Sequence, residues 1–233
     1  MSDSPPAARP PDPADASASA ATDVRLLDAA EELFAANGFT ATSLRQITTA
    51  ARANIAAVNY HFGSKEGLLR AVFERRLVPL NQERHEALDR VAAKFDGREL
   101  PVRSLLVAFL SPALRLVEQP GGQRFLRLLG RLHGEPDRSP ATELFLEQFR
   151  EIVRRFMPLL SRSLPTVSQE DLAWRMHFTI GAMAQTMMCV EGIELLSGGN
   201  GTTSNPEATL ARLVDFAVAG LAAPRSSKEK DPG

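Results

Sequence analysis

The chain has 233 residues, of which 44% are hydrophobic and 24% charged, ordinary values for a protein that buries a sizeable core. Its formal net charge of -1 excludes nucleic-acid binding by bulk basicity, so such a partner would have to meet a local surface. One cysteine, Cys189, excludes an internal disulfide, and the longest uncharged run of the apolar C-terminal region, Met176 to Val190, is too short to cross a bilayer.

The first 21 residues hold five of the sixteen prolines and almost no large apolar side chains. That composition cannot offset the entropy of ordering, so residues 1–21 are expected to be a disordered tail. The segment has no basic-then-apolar pattern of a secretory leader. With a single cysteine, this points to a cytoplasmic protein. The triplet Asn200-Gly201-Thr202 matches a glycosylation acceptor and, without a leader, is read as chance.

Helical periodicity begins at Asp23. Leu26, Ala30, Leu33 and Phe34 share one face, and Asn37-Gly38 is a left-handed stop. Thr42 or Ser43 caps a second helix, and Ser43 with Gln46 has capping-box spacing. Leu44, Ile47 and Ala51 form its apolar stripe. After a short break at Arg52-Ala53, Asn54 caps a third helix carrying Ile55, Val58 and Phe62. Gly63 ends it, and Ser64 caps a fourth helix running to about Phe95, which Pro79 is expected to kink or split near Val78. Further helices are expected at about 101–118, 122–133, 140–163, 168–197 and 206–221, several opened by Ser or Asn followed by Pro. No stretch alternates with period two for long enough to form a strand. The expected fold is all-α, with a compact helical domain at 22–76, a larger one at 77–223, and a disordered tail at 224–233.

Three short helices with a tight break between the second and third have the plan of a helix-turn-helix. Val58 and Phe62 would pack against Leu33 and Phe34, leaving Ala56, Ala57, Asn59, Tyr60 and His61 on the opposite face. Small residues allow close approach to base edges, and Asn59 has the donor and acceptor that an adenine edge requires. Lys65 opens the next helix, where an ammonium and free backbone N–H groups together favour a phosphate.

The runs Thr42-Ser43-Leu44-Arg45-Gln46-Ile47 and Val58-Asn59-Tyr60-His61-Phe62-Gly63-Ser64-Lys65-Glu66-Gly67-Leu68, with Ala29-Ala30-Glu31-Glu32-Leu33-Phe34 and Asn37-Gly38-Phe39 before them, resemble the TetR family of repressors. The likeness covers about residues 23–76. It implies a dimeric repressor on a palindromic operator, with an effector cavity in its second domain. It places Thr42, Ser43, Arg52, Asn54, Ile55, Ala56, Ala57, Asn59, Tyr60, His61 and Lys65 at the DNA. Two departures stand out: the family usually has Gly where Arg52 stands, and Tyr where Asn59 stands. The first implies a non-glycine residue at positive φ. The second leaves open whether Asn59 or Tyr60 meets a phosphate.

The second half is richer in large apolar side chains. Phe109, Leu114, Phe125, Leu129, Phe149, Trp174, His177 and Phe178 are the candidate ligand contacts, with Phe145, Met183 and Met187 beside them. Aromatic and Met side chains suit an adaptable apolar pocket, although at helical spacing they also make ordinary core. Arg115, Arg124, Arg127 and Arg131 offer charge for an acidic head group. The last two helices resemble the family's dimerisation helices, with Gly181, Ala184, Leu210, Leu213 and Phe216 as the interface. This half is also similar to a subgroup (PsrA-like) that senses fatty acids or acyl-CoA. A small apolar or amphipathic effector is therefore expected, with no cofactor, metal or membrane partner.

The four histidines lack metal-ligand spacing, and the chain has no Walker loop, Gly-x-Ser-x-Gly elbow or Rossmann fingerprint. Cys189 has no activating neighbour and is expected to be a small core residue. An enzyme is not expected. The alternative to a regulator is a helical ligand-binding or scaffold protein without DNA. Repression and activation are both compatible with the sequence.

Overall fold

The computed structural model describes residues 13–95, 98–132, 140–188, 190–199 and 205–224, and the regular structure among them is entirely helical. It forms two compact units, one up to Val72 and one from Phe73 onward, so the division falls inside a helix and slightly before the expected boundary at 76. Among the described residues no helix is long and apolar enough to cross a membrane. No cluster of His, Cys, Asp or Glu among them is placed to hold a metal ion.

The first unit holds α1 (Pro13–Asn37), α2 (Leu44–Ala51), α3 (Ile55–Phe62) and the start of α4 (Lys65–Phe95). Helix α1 begins ten residues before the expected start, so residues 13–21 are not a disordered tail; residues 1–12 lie outside the described part. The correction has a local reason. Pro13 stands in the first turn, where its missing N–H is harmless, and alanine, the best helix former, fills much of the next two turns. Gly38 stops the helix at φ 83° and donates its N–H to the Phe34 carbonyl at 2.9 Å. Leu26, Ala30 and Phe34 of α1, Ile47 of α2, Val58 of α3 and Leu68 and Leu69 of α4 are fully buried. Phe34 and Phe39 meet at 5.5 Å between ring centroids.

In the second unit, α5 (Val102–Leu116) packs against α7 (Pro140–Ser163), α8 (Gln169–Met188) and α10 (Pro206–Ala222), and α6 (Gly122–Leu132) packs against α8. Its core includes Leu105, Phe109, Ile152, Phe156, Leu160 and Val214. Phe73 meets Phe125 edge-on at 5.5 Å and Phe109 meets Phe156 at 4.5 Å. Helix α4 runs unbroken past Pro79, so the expected split does not occur. Its buried side chains before and after the proline, Leu77, Leu80 and Leu88, hold both parts. The helix expected over 168–197 is described on both sides of Cys189, as α8 and as α9 (Val190–Leu196). Cys189, like Ser139 and Asn200-Gly201-Thr202, lies outside the described residues. Ser168 caps α8 through Asp171 and Asn205 caps α10 through Ala208, as their spacing implies.

Between α3 and α4 the chain turns at Gly63, whose φ is 74°. Gly67 then brings α4 so close to the end of α3 that an added Cβ would lie 1.9 Å from the Phe62 carbonyl oxygen. Helix propensity alone favours Ala over Gly by about 1 kcal/mol. Overpacking costs about 1–3 kcal/mol, and here the obstacle is backbone that cannot rotate away. Gly67→Ala is therefore expected to lower stability by about 1 kcal/mol in thermal or urea unfolding, the middle of that range less the propensity gain. An alanine variant as stable as the parent would refute the close approach.

Candidate nucleic-acid interface and effector cavity

The bend between α2 and α3 is built from local hydrogen bonds. The Ser43 hydroxyl accepts from the Gln46 N–H at 3.3 Å, and the Ser43 N–H donates to the Gln46 side-chain oxygen at 2.7 Å, closing a capping box. At the other end of α2, the Ala53 N–H reaches the Thr48 carbonyl at 2.9 Å and the Arg52 N–H the Thr49 carbonyl at 3.3 Å. These two bonds make a Schellman motif, which demands a left-handed residue between them. Arg52 occupies that position at φ 51°, ψ 46°, and it is the one non-glycine residue with positive φ among those described. Asn54 then accepts from the Ala57 N–H at 2.8 Å and starts α3.

Val58 is the only fully buried side chain of α3. Ile55, Ala56 and Asn59 are exposed, and Tyr60 is 81% exposed, so they form one outward face. Lys65 sits partly buried with its ammonium 4.3 Å from the Phe39 ring centroid. Desolvation lowers its pKa from the ordinary lysine value, with the Glu66 carboxylate opposing the shift. Arg52 and Asn54 line a shallow recess together with Ser19, Thr22 and Arg25 of α1. Arg25 also donates to the Ala51 carbonyl at 3.1 Å, holding α1 to the end of α2.

Three expected DNA contacts are less exposed, although Ala57 and His61 line the same recess as Arg52 and Asn54. Thr42 is buried, and its hydroxyl is used on the Gly38 and Leu33 carbonyls at 2.7 and 3.1 Å, tying the loop to α1. The His61 ring is mostly buried with Nδ1 2.8 Å from Asp23 Oδ1, so it braces α3 against α1. Ala57 is half-buried on the inner flank of α3. Ser43 is exposed, but its hydroxyl donates to Gln46 at 2.8 Å and is committed to the cap. Ser19, Thr22 and Arg25 were not anticipated: Ser19 falls in the expected tail, and Thr22 and Arg25 look like any solvated start of a helix.

The second unit contains a cavity of about 260 Å³, at the small end of ligand sites. Leu77, Leu80, Asn81 and Arg84 contribute from α4, Ala113 and Leu116 from α5, Leu126 and Leu129 from α6, Phe145 and Phe149 from α7, and Ile180, Met183, Ala184 and Met187 from α8. Phe145 and Phe149 stack at 5.7 Å with planes 13° apart. Of the expected ligand contacts, Leu129 and Phe149 line this space. Phe109, Leu114 and Phe125 are buried but are not in its wall. Trp174 and Phe178 are 57% and 61% exposed, and His177 is exposed beside them, so none of the three reaches the cavity. Arg84 and Asn81 were not anticipated as lining residues.

Those exposed rings define a second feature. Trp174, His177, Phe178 and Gly181 share one face of α8, with Trp174 and Phe178 5.9 Å apart. On α10, Phe216 is 64% exposed, and Ala219 and Gly220 are exposed beside it. Of the expected dimer residues, Gly181 and Phe216 are exposed and Leu210 is partly so. Ala184 faces the cavity instead, and Leu213 is buried in its own protomer.

Comparison with known proteins agrees with this geometry. Residues 26–72 match the model of "Bacterial regulatory proteins, tetR family", and residues 107–220 match "Tetracyclin repressor-like, C-terminal domain". The comparison with curated proteins gives no match. Among solved structures, NalD of Pseudomonas aeruginosa, described as the secondary repressor of the MexAB-OprM multidrug efflux pump, is similar with a TM-score of 0.62 at 22% identity, covering 88% of this chain and 97% of that one. A TetR-like transcriptional regulator from Rhodococcus sp. RHA1 is similar at 0.56 and 19% identity, covering 87% of this chain and 97% of that one. A transcriptional regulator from Aquifex aeolicus VF5 is similar at 0.54 and 20%, covering 84% and 96%.

The left-handed backbone at Arg52 costs a side-chain-bearing residue about 1–2 kcal/mol, while glycine loses about 0.5–1 kcal/mol more chain entropy on folding. Arg52→Gly is therefore expected to stabilise the protein by about 0.5–1 kcal/mol, and Arg52→Ala to leave it unchanged. Urea unfolding of the three proteins checks this. A glycine variant less stable than the parent would contradict the strain.

Proposed function

Because the chain belongs to the TetR family of bacterial regulatory proteins, which are DNA-binding transcription regulators and not enzymes, we propose that it is a ligand-released repressor binding a palindromic operator as a homodimer in the cytoplasm. The observation that carries the reading is the division of α3: Val58 is fully buried, while the Asn59 and Tyr60 side chains are outward and make no hydrogen bond to their own fold among the described residues.

In this reading α3 enters the major groove. Asn59 reads an adenine edge, and Ile55 and Ala56 lie against thymine methyl groups. Tyr60, Lys65, Arg52 and the recess formed with Thr22 and Arg25 hold backbone phosphates, which fix position without reading sequence. The exposed apolar faces of α8 and α10 receive the same faces of a second copy, an isologous contact that covers Trp174, Phe178 and Phe216. Such a dimer presents two copies of α3 about 34–36 Å apart, or a multiple.

The effector occupies the cavity of the second unit. A small apolar or amphipathic molecule fits its walls, and a fatty acid or an acyl-CoA is the finer assignment. Helix α4 is common to both units and supplies Leu77, Leu80, Asn81 and Arg84 to the wall, which makes it the connecting element. An effector preferring a spacing of the recognition helices that does not fit DNA weakens operator binding, and DNA weakens effector binding by the same factor.

Selection of genomic fragments by the purified protein is expected to return one palindromic motif. On that duplex, Tyr60→Ala and Asn59→Ala are expected to weaken binding at least tenfold in a gel shift, Asn59→Ala with relaxed preference at one base pair. Lys65→Ala weakens all sequences alike and reduces the salt slope by about 1. Unselected fragments, or full binding by the Tyr60 and Asn59 variants, would overturn the reading.

A further inference from the structure

The cavity wall contains one charge that no acidic group among the described residues answers. Arg84, on α4, is 4% exposed and lines the cavity next to Asn81. Its Nε donates to the Phe109 carbonyl at 2.9 Å, and its Nη1 donates to the Asn81 side-chain oxygen at 3.1 Å. The guanidinium carbon lies 4.4 Å from the Phe109 ring centroid. All of these partners are neutral, and among the described residues Arg84 has no ion pair and Nη2 no hydrogen bond. A guanidinium has five N–H groups, and the two bonds use only two of them. A buried cation with neutral partners alone is costly, whereas one facing a carboxylate is not. Burial lowers the Arg84 pKa to about 10, so the group is still a cation at neutral pH.

The surroundings hold that cation in place. Asn81 donates its own amide N–H to the Gln148 carbonyl at 3.0 Å, which turns its oxygen toward Arg84. The Phe109 carbonyl fixes the other edge. The rest of the wall is mainly aliphatic, aromatic or thioether, with Leu77, Leu80, Phe145, Phe149, Met183 and Met187 prominent. A preorganised guanidinium edge beside a small apolar cavity matches one chemistry: an apolar body ending in a flat, doubly accepting anion.

We propose that the effector is a small amphipathic monocarboxylate, its body among the Leu, Phe and Met side chains and its carboxylate on the free N–H groups of Arg84. This rests on the reading of the cavity as the effector site and narrows it. It also separates the two finer assignments. A thioester has no charge at the acyl carbonyl, and the phosphate-bearing remainder of an acyl-CoA is too large for a cavity of about 260 Å³, so the free acid is the ligand form.

The test uses the full chain and two matched pairs of probes, octanoate with octanamide and 4-phenylbutyrate with 4-phenylbutanamide, measured by calorimetry. At least one acid is expected to bind at least tenfold tighter than its amide. Arg84→Met is expected to erase that preference while amide binding persists, and Arg84→Lys, which retains charge without the fork, to retain part of it. The comparison in the unmodified protein decides the matter if Arg84→Met does not fold. Acids that bind no tighter than their amides, acids that do not bind at all, or a preference that survives in Arg84→Met would overturn the proposal. Amides that bind and release operator as well as the acids do would remove the anionic head and leave the effector cavity standing. Undiminished acid binding by Leu129→Trp, which fills the cavity, would move the ligand elsewhere and remove both readings.

Discussion

The burial of Val58 decides what α3 can do. An eight-residue helix holds few side chains, and this one has a single fully buried anchor, with Phe62, Ala57 and His61 half-buried at its flanks. With Val58 turned into the core formed with Ile47 and Phe34, Asn59 and Tyr60 have only the outside available. The bend before α3 aims that face. Its geometry comes from the two hydrogen bonds that return to Thr48 and Thr49, and these force Arg52 into a left-handed conformation that a longer connection would avoid. Buried anchor, tight bend and Asn54 cap together give a short helix one orientation without needing many contacts.

The second unit solves a different problem with similar economy. A well-packed helical core leaves few voids larger than a water molecule, so a space of about 260 Å³ among five helices is a departure from ordinary packing. It is walled by flexible and aromatic side chains, and Arg84 is placed in that wall without a carboxylate among the described residues. An apolar cavity and a cation whose partners among the described residues are all neutral are both costly to a fold. Both costs fall when a ligand binds, which is how binding free energy becomes available for a change elsewhere.

Much of the first unit was legible in the chain. The Ser43–Gln46 box and the Asn54 cap follow from local chemistry, the positive φ at Arg52 follows from the resemblance to a family with Gly there, and each is present. Long-range partners were not legible. Thr42 reads as a cap, yet its hydroxyl is drawn to carbonyls nine and four residues back. His61 reads as outward, yet Asp23, on a helix that begins earlier than the prolines suggest, claims it. In α8 the difficulty is of another kind. Met176, Met183 and Met187 are buried and Trp174 and Phe178 exposed, so two apolar stripes share one helix, and periodicity cannot say which meets a cavity and which a second copy. Arg84 is hidden most thoroughly: in the run Asn81-Gln82-Glu83-Arg84-His85-Glu86 it resembles any residue of a solvated face.

The most direct test of the central claim places a photoreactive benzophenone side chain at position 60 or, separately, at position 178. Irradiation with the selected operator duplex is expected to join position 60 to DNA and position 178 to a second copy of the chain. A position 60 derivative that binds the duplex fully, yet never crosslinks to it, would contradict recognition through the outer face of α3.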